Sequence, residues 1–133
     1  SVTFHRAFDA CCHPMQALKD IIHLGCNRIL TSGGQATAEA GIPLLTDLQQ
    51  ASQNRITLMA GCGVNETNIT HIARETGIRE FHFSARESID SAMRYRNGQI
   101  SMGGTVKIGE YVRSVTTETR VRRTIQVLQS ATE

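Results

Sequence analysis

The chain has 133 residues, 40% of them apolar and 20% charged, with two Pro, no Trp and a formal charge of +2. That balance excludes disordered, collagenous and coiled-coil classes and leaves an ordinary globular domain. With 14 basic against 12 acidic residues there is no electrostatic footprint for nucleic acid, and no apolar stretch nears the roughly 18 to 20 residues that cross a bilayer, so neither nucleic acid nor a membrane is expected as a partner.

The N-terminus lacks the basic-then-apolar pattern of a secretory signal. Cys11, Cys12, Cys26 and Cys62 form no C-x-x-C pair and no miniprotein framework, so reduced thiols in a cytoplasmic chain are expected. Ser1, not Met, leads straight into an apolar and aromatic run, and the sequence reads as a piece of something longer.

In chain order, Val2 to Phe8 reads as a strand, and Pro14 opens a helix carrying Met15, Leu18, Ile21, Ile22 and Leu24 that stops at Gly25. Arg28 to Thr31 reads as a second strand, ending in Ser32-Gly33-Gly34. Ile42 to Ala51 has Leu44, Leu45 and Leu48 at helical spacing. Ile56 to Ala60 is apolar throughout, Gly61-Cys62-Gly63 turns the chain, and Asn65 to Thr76 presents Ile69, Ile72 and Ala73 on one face before Gly77. Glu80 to Ser84 alternates Phe81 and Phe83 with His82 and Ser84. After a polar, irregular region a last helix is predicted from Thr117 to Leu128.

The strand ends recur about every 25 residues, the length of successive βα units, which predicts a parallel α/β sheet with the helices as crossovers. In a barrel, Val2, Phe4, Ile29, Ile56, Leu58, Phe81 and Phe83 would face helices, and Thr3, His5, Arg28, Thr57, Met59, Glu80, His82 and Ser84 the interior. A doubly wound sheet, covered on both faces, calls for near-continuous apolar strands, which Phe4-His5-Arg6 and Phe81-His82-Phe83 do not provide. A TIM-like (β/α) barrel is therefore the predicted fold. Since eight units need about 250 residues, residues 1–133 are read as a single partial domain of four consecutive βα units. Its unpaired outer strands make self-association, as a homo-oligomer, the expectation.

Val2-Thr3-Phe4-His5-Arg6-Ala7-Phe8-Asp9, Arg28-Ile29-Leu30-Thr31-Ser32-Gly33, Gly61-Cys62-Gly63-Val64 with Asn68, Phe81-His82-Phe83-Ser84-Ala85-Arg86 and Met93-Arg94-Tyr95-Arg96-Asn97 together resemble the C-terminal half of the CutC family of copper homeostasis proteins. The match continues through Met102-Gly103 and Glu110-Tyr111 to the closing helix. It implies a TIM-like barrel, cytosolic copper homeostasis and copper, as Cu(I), for a ligand. No agreed reaction comes with it.

Polar residues at the C-terminal ends of parallel barrel strands converge on one mouth. His5, Arg6 and Asp9, Thr31 and Ser32, Gly61 to Gly63, and His82, Ser84 and Arg86 should share that rim, unless buried His and Arg merely satisfy one another there. Gly61-Cys62-Gly63 before a helix, followed by Ser84-Ala85-Arg86, resembles the phosphate site of many barrels. Thr31, Ser32, Gly33, Gly61, Gly63 and Ser84 are thus candidate contacts for a small anionic ligand, with Arg6 and Arg86 supplying guanidinium forks. A plain strand-to-helix turn is the alternative for the glycines.

Cu(I) favours thiolate and thioether donors, and Cys11, Cys12, His13 and Met15 bunch after the first strand, although Met15 is expected to pack in its helix and adjacent cysteines do not readily face one ion. Cys62 is a second thiol of interest at a helix start, and Cys26 reads as packing. His23 and His71 read as surface residues. As an enzyme, the chain would use His5 and His82 as acid and base, oriented by Asp9 or Glu80, with Arg6 on an anionic or phosphorylated substrate. Lys19 and Lys107 are the lysines of the chain, and neither sits where Schiff-base chemistry would want one.

Overall fold

The computed structural model describes residues 1–106 and 109–130; Lys107 lies outside them. Strands β1 (Thr3–Phe4), β2 (Arg28–Thr31), β3 (Thr57–Gly61) and β4 (Glu80–His82) form a parallel sheet in the order β1-β2-β3-β4. Its register sets Thr3 beside Arg28, Arg28 beside Thr57, and Met59 beside Glu80. Each strand lies next to its predecessor, an order without the reversal that marks a doubly wound sheet.

Between the strands run α1 (Pro14–His23), α2 (Ile42–Ser52) and α3 (Ile69–Thr76), and α4 (Glu118–Ser130) closes the row. Pro14 and Pro43 sit in the first turns of α1 and α2, where a missing N–H costs nothing, and Gly77, with φ +72°, ends α3. The helices pack on one face. Phe8, Ile29, Leu58 and Ala60 are buried there with Leu18 and Ile21 of α1, Leu45 and Leu48 of α2, and Ile69 and Ile72 of α3. Each large side chain so buried contributes about 1.5 to 3 kcal/mol. This one-sided core fixes the strand register, because a slip of one residue would turn Arg28 and Glu80 into it.

On the opposite face Thr3 and Thr57 are exposed, and Arg28, Leu30, Met59 and Glu80 are half-buried. Arg28 donates to both carboxylate oxygens of Glu80, across the intervening β3, and its third donor reaches Thr3 Oγ1. Glu80 holds the Arg28 pKa above its ordinary value. Phe4, Ile29, Leu58 and Phe81 join the core as the helix-facing set predicts, and His5, Ile56, Phe83 and Ser84 fall outside the strands. Val2 is exposed, because β1 begins only at Thr3 and the Val2 backbone pairs instead with Asn27.

Several elements differ from expectation, and α3 begins at Ile69 rather than at Asn65, whose side chain accepts from the Thr67 amide in a turn. The first strand stops at Phe4, and Arg6–Ala10 wind into a 3-10 helix that buries Phe8. The fourth strand stops at His82. The irregular region contains an antiparallel pair, β5 (Arg86–Asp90) and β6 (Val112–Thr116). The segment joining them is held by Arg96, which pairs with Asp90 at 2.8 Å and lies over the Tyr111 ring, and by the Tyr111 hydroxyl on the backbone of Asn97. It exposes Met93, Tyr95, Ile100, Met102 and Val106.

Candidate functional site

The C-terminal ends of the four parallel strands share one edge, and two glycine turns follow β2 and β3 there. At the first, Asp9 acts as a hub. Its carboxylate accepts from Thr31 Oγ1 at 2.5 Å, from the Ser32 amide and hydroxyl at 3.1 Å, from the Gly34 amide at 3.1 Å and from Arg6 Nε at 2.7 Å. Arg6 also donates to Ser32 Oγ at 2.9 Å, and the Gly33 amide donates to Thr31 Oγ1. Burial works to raise the Asp9 pKa, but the bonds from Thr31, Arg6 and the two amides outweigh it and hold the carboxyl below its usual range. Asp9 raises the Arg6 pKa in return. This turn is packed as tightly as it is bonded: a Cβ on Gly33 would fall on the Gly41 backbone, 2.9 Å from its Cα, and Gly33 has φ +70°.

Among the described residues the second turn has no such carboxylate. Gly61-Cys62-Gly63 and the segment after β4 border a cavity of about 460 Å³, lined by Arg6, Cys62 and Gly63, by His82, Ser84 and Arg86, and by Glu66 and Arg120. Cys62 and Ala85, both on the lining, take φ +82° and +46°, values that non-glycine residues adopt at a cost of about 1 to 2 kcal/mol. Cys62 Sγ donates to the Ala36 carbonyl at 3.1 Å. Arg120, in the first turn of α4, donates to Glu66 at 2.8 Å and to the carbonyl of Arg86, so it ties α4 to the β3–α3 loop and to β5. Arg120 holds the Glu66 carboxyl below its usual range. The Arg86 guanidinium faces no acceptor or carboxylate among the described residues.

The cavity therefore gathers Arg6, Gly63, His82, Ser84 and Arg86 of the expected rim. His5 lies at the same sheet edge but caps the 3-10 helix, its Nδ1 accepting from the Ala7 amide at 3.0 Å. Asp9, Thr31, Ser32 and Gly33 stand behind the cavity as a bonded unit that positions Arg6, and Gly61 is buried beneath it. Arg120 and Glu66 were not expected there. Fixed on a polar helix and in a loop, 54 residues apart, they carry no local signal of meeting.

The soft-donor group is not assembled. Among the described residues no three His, Cys, Asp or Glu side chains gather as a metal would require. Cys12 and His13 are exposed, Cys11 borders an apolar groove with Phe4, Phe8 and Ile21, and Met15 is exposed, correcting the expectation that it packs within α1. These residues form no three-donor site as they stand. Cys26 packs against the core, and all four cysteines are free thiols. His23 and His71 are exposed, as expected.

Consecutive βα units in unbroken parallel order, with an arginine-lined cavity at the carboxyl ends of the strands, define an α/β fold of repeated βα units. Residues 1–87 match the CutC family. A CutC family protein of Bacteroides thetaiotaomicron is 68% identical over 130 residues, covering 98% of this chain and 52% of that protein. The copper homeostasis protein cutC homolog of Mus musculus is 44% identical over 121 residues, or 91% of this chain and 44% of the mouse protein. The crystal structure of a protein from Streptococcus agalactiae described as a copper homeostasis protein CutC aligns with TM-score 0.57 and 31% identity, over 60% of this chain and 40% of that one. The chain belongs to the CutC family, and it spans about half the length of the curated relatives it matches.

Proposed function

We propose that the chain supplies the C-terminal four βα units of a TIM-like barrel whose rim binds a small anionic ligand, phosphate-bearing by preference, within a cytosolic protein of copper homeostasis. The cavity at the carboxyl ends of β3 and β4 carries this reading, with Arg86 aimed at no protein acceptor and Arg6 and Arg120 beside it. A guanidinium fork matches phosphate geometry, and a glycine turn lets an anion approach the backbone. The position is the one where many barrels hold phosphate. Titration with inorganic phosphate, followed by calorimetry, tests it: binding that Arg86→Ala weakens at least tenfold supports the reading, and no binding to the parent protein refutes it.

Copper is the second reading, and the name of the mouse relative favours it. Since Cys11, Cys12 and His13 form no ligand group here, Cu(I) held by the whole protein would take donors beyond these residues. Anaerobic Cu(I) titration against a competing chelator, with Cys11→Ser/Cys12→Ser alongside, should then leave the stoichiometry unchanged. A lost equivalent would return these thiols to the site. Self-association through the free edges of β1 and β4 remains part of the proposal for this segment, and a sharply melting monomer at all concentrations would contradict it.

A further inference from the structure

The charge bookkeeping of the cavity narrows the ligand beyond an anion. Three guanidinium groups line it, but Arg6 is neutralised by Asp9 at 2.7 Å and Arg120 by Glu66 at 2.8 Å, which leaves the single uncompensated charge of Arg86. One phosphoryl group is all that this charge invites. A second would be brought near the Glu66 carboxylate, which is itself on the lining. The volume, about 460 Å³, lies in the range of small-molecule sites and far exceeds one inorganic phosphate.

The rest of the wall is specific in kind. Ser84, Asn65 and the Glu66 carboxylate offer hydroxyl, amide and carboxylate groups beside apolar Leu30 and Val64, and the rings on it are His82 and Phe83. The polar groups of this wall can pair with ligand hydroxyls. Glu66 cannot swing away freely, because Arg120 fixes it while donating also to the Arg86 carbonyl. Its carboxylate stays ionised and acceptor-only, so it selects ligand groups that donate.

From these groups we infer that the cavity takes a small polyhydroxylated phosphomonoester, with the phosphate on Arg86 beside the Gly63 turn and a ligand hydroxyl donating to Glu66. The inference rests on the anion-binding reading and adds to it the organic part of the ligand, the number of phosphates, and a specificity role for Glu66, with Arg120 as its positioning residue.

Isothermal titration of the purified protein with four probes separates the possibilities: inorganic phosphate, propyl phosphate, glycerol 3-phosphate and fructose 1,6-bisphosphate. Glycerol 3-phosphate should bind about tenfold more tightly than propyl phosphate, the size expected of one hydrogen bond to a charged group. The bisphosphate should gain nothing over it. Glu66→Ala, checked for an unchanged fold by circular dichroism, should abolish the difference between glycerol 3-phosphate and propyl phosphate. If Glu66→Ala proves unfolded, Arg120→Lys, which keeps the charge but loses the fork, should narrow the same difference. Equal affinity for all three monophosphates overturns this inference while leaving the anion site standing. Tighter binding of the bisphosphate overturns the count of one phosphate. Binding of none of the four overturns both readings together.

Discussion

Two turns of near-identical composition leave adjacent strands of the same sheet and meet opposite fates. Ser32-Gly33-Gly34 after β2 donates its backbone to a carboxylate of its own chain, Asp9, and its residues Ser32 and Gly33 are buried. Gly61-Cys62-Gly63 after β3 borders a cavity with arginines around it, and among the described residues no carboxylate sits on its amides. A glycine turn at a strand end is an anion site only when the chain leaves it unfilled. The first is architecture, and by holding Arg6 in place it builds one wall of the second.

The sharpest way to break this contrast is to add one methyl group to each turn. Gly33→Ala forces a Cβ onto the Gly41 backbone at a positive φ, and overpacking plus a left-handed Ala should cost about 3 to 5 kcal/mol, read as a drop in the urea midpoint. Gly63→Ala meets only the Thr37 side chain, at 3.2 Å, and should cost about 1 to 2 kcal/mol while weakening phosphate binding. Equal losses at both positions would erase the distinction.

Removing the internal anion comes next. Asp9→Ala leaves the buried Ser32 amide and the Arg6 guanidinium without their partner, and should destabilise by about 3 kcal/mol in urea denaturation at pH 7. The sign of the pH effect follows from the direction of the Asp9 shift. Its folded pKa lies below the unfolded one, so the parent enjoys the full contribution above about pH 4, the ordinary carboxyl range, and loses it as pH falls through the folded value. Asp9→Asn should flatten that part of the stability profile, and an unaltered acid limb would contradict the hub.

Arg86→Ala, the smallest effect on stability, belongs to the other turn. It should shift the urea midpoint by less than about 0.5 kcal/mol, as exposed surface substitutions do, yet reduce phosphate affinity at least tenfold. A large stability loss with unchanged binding would reverse the assignment of the two turns.

The sequence showed the scaffold more clearly than the site. Apolar runs at Arg28 to Thr31 and Ile56 to Ala60, and the prolines that open α1 and α2, place β2, β3 and these two helices within a residue, because burial on one face writes itself into local pattern. The pair β5 and β6 escaped notice for the converse reason: along Arg86–Asp90 only Ile89 is even half-buried, so no alternation exists to be read. The 3-10 helix was hidden because Phe8 is apolar in either conformation. Arg6, His82, Ser84 and Arg86 were legible from their places at strand ends. The Asp9 hub and the Glu66–Arg120 pair were not, since each depends on side chains meeting across 20 residues or more, where spacing carries no period. Adjacency of Cys11, Cys12 and His13 in sequence does not by itself make a three-donor group.

A crystal structure of the protein grown in phosphate would test the central claim most directly. An anion is expected in the cavity, within hydrogen-bond distance of the Arg86 guanidinium and the Gly63 turn, with Asp9 still bonded to Ser32 and Gly34. An anion seated at Ser32-Gly33-Gly34 with Asp9 displaced, or a cavity holding water alone at saturating phosphate, would contradict it.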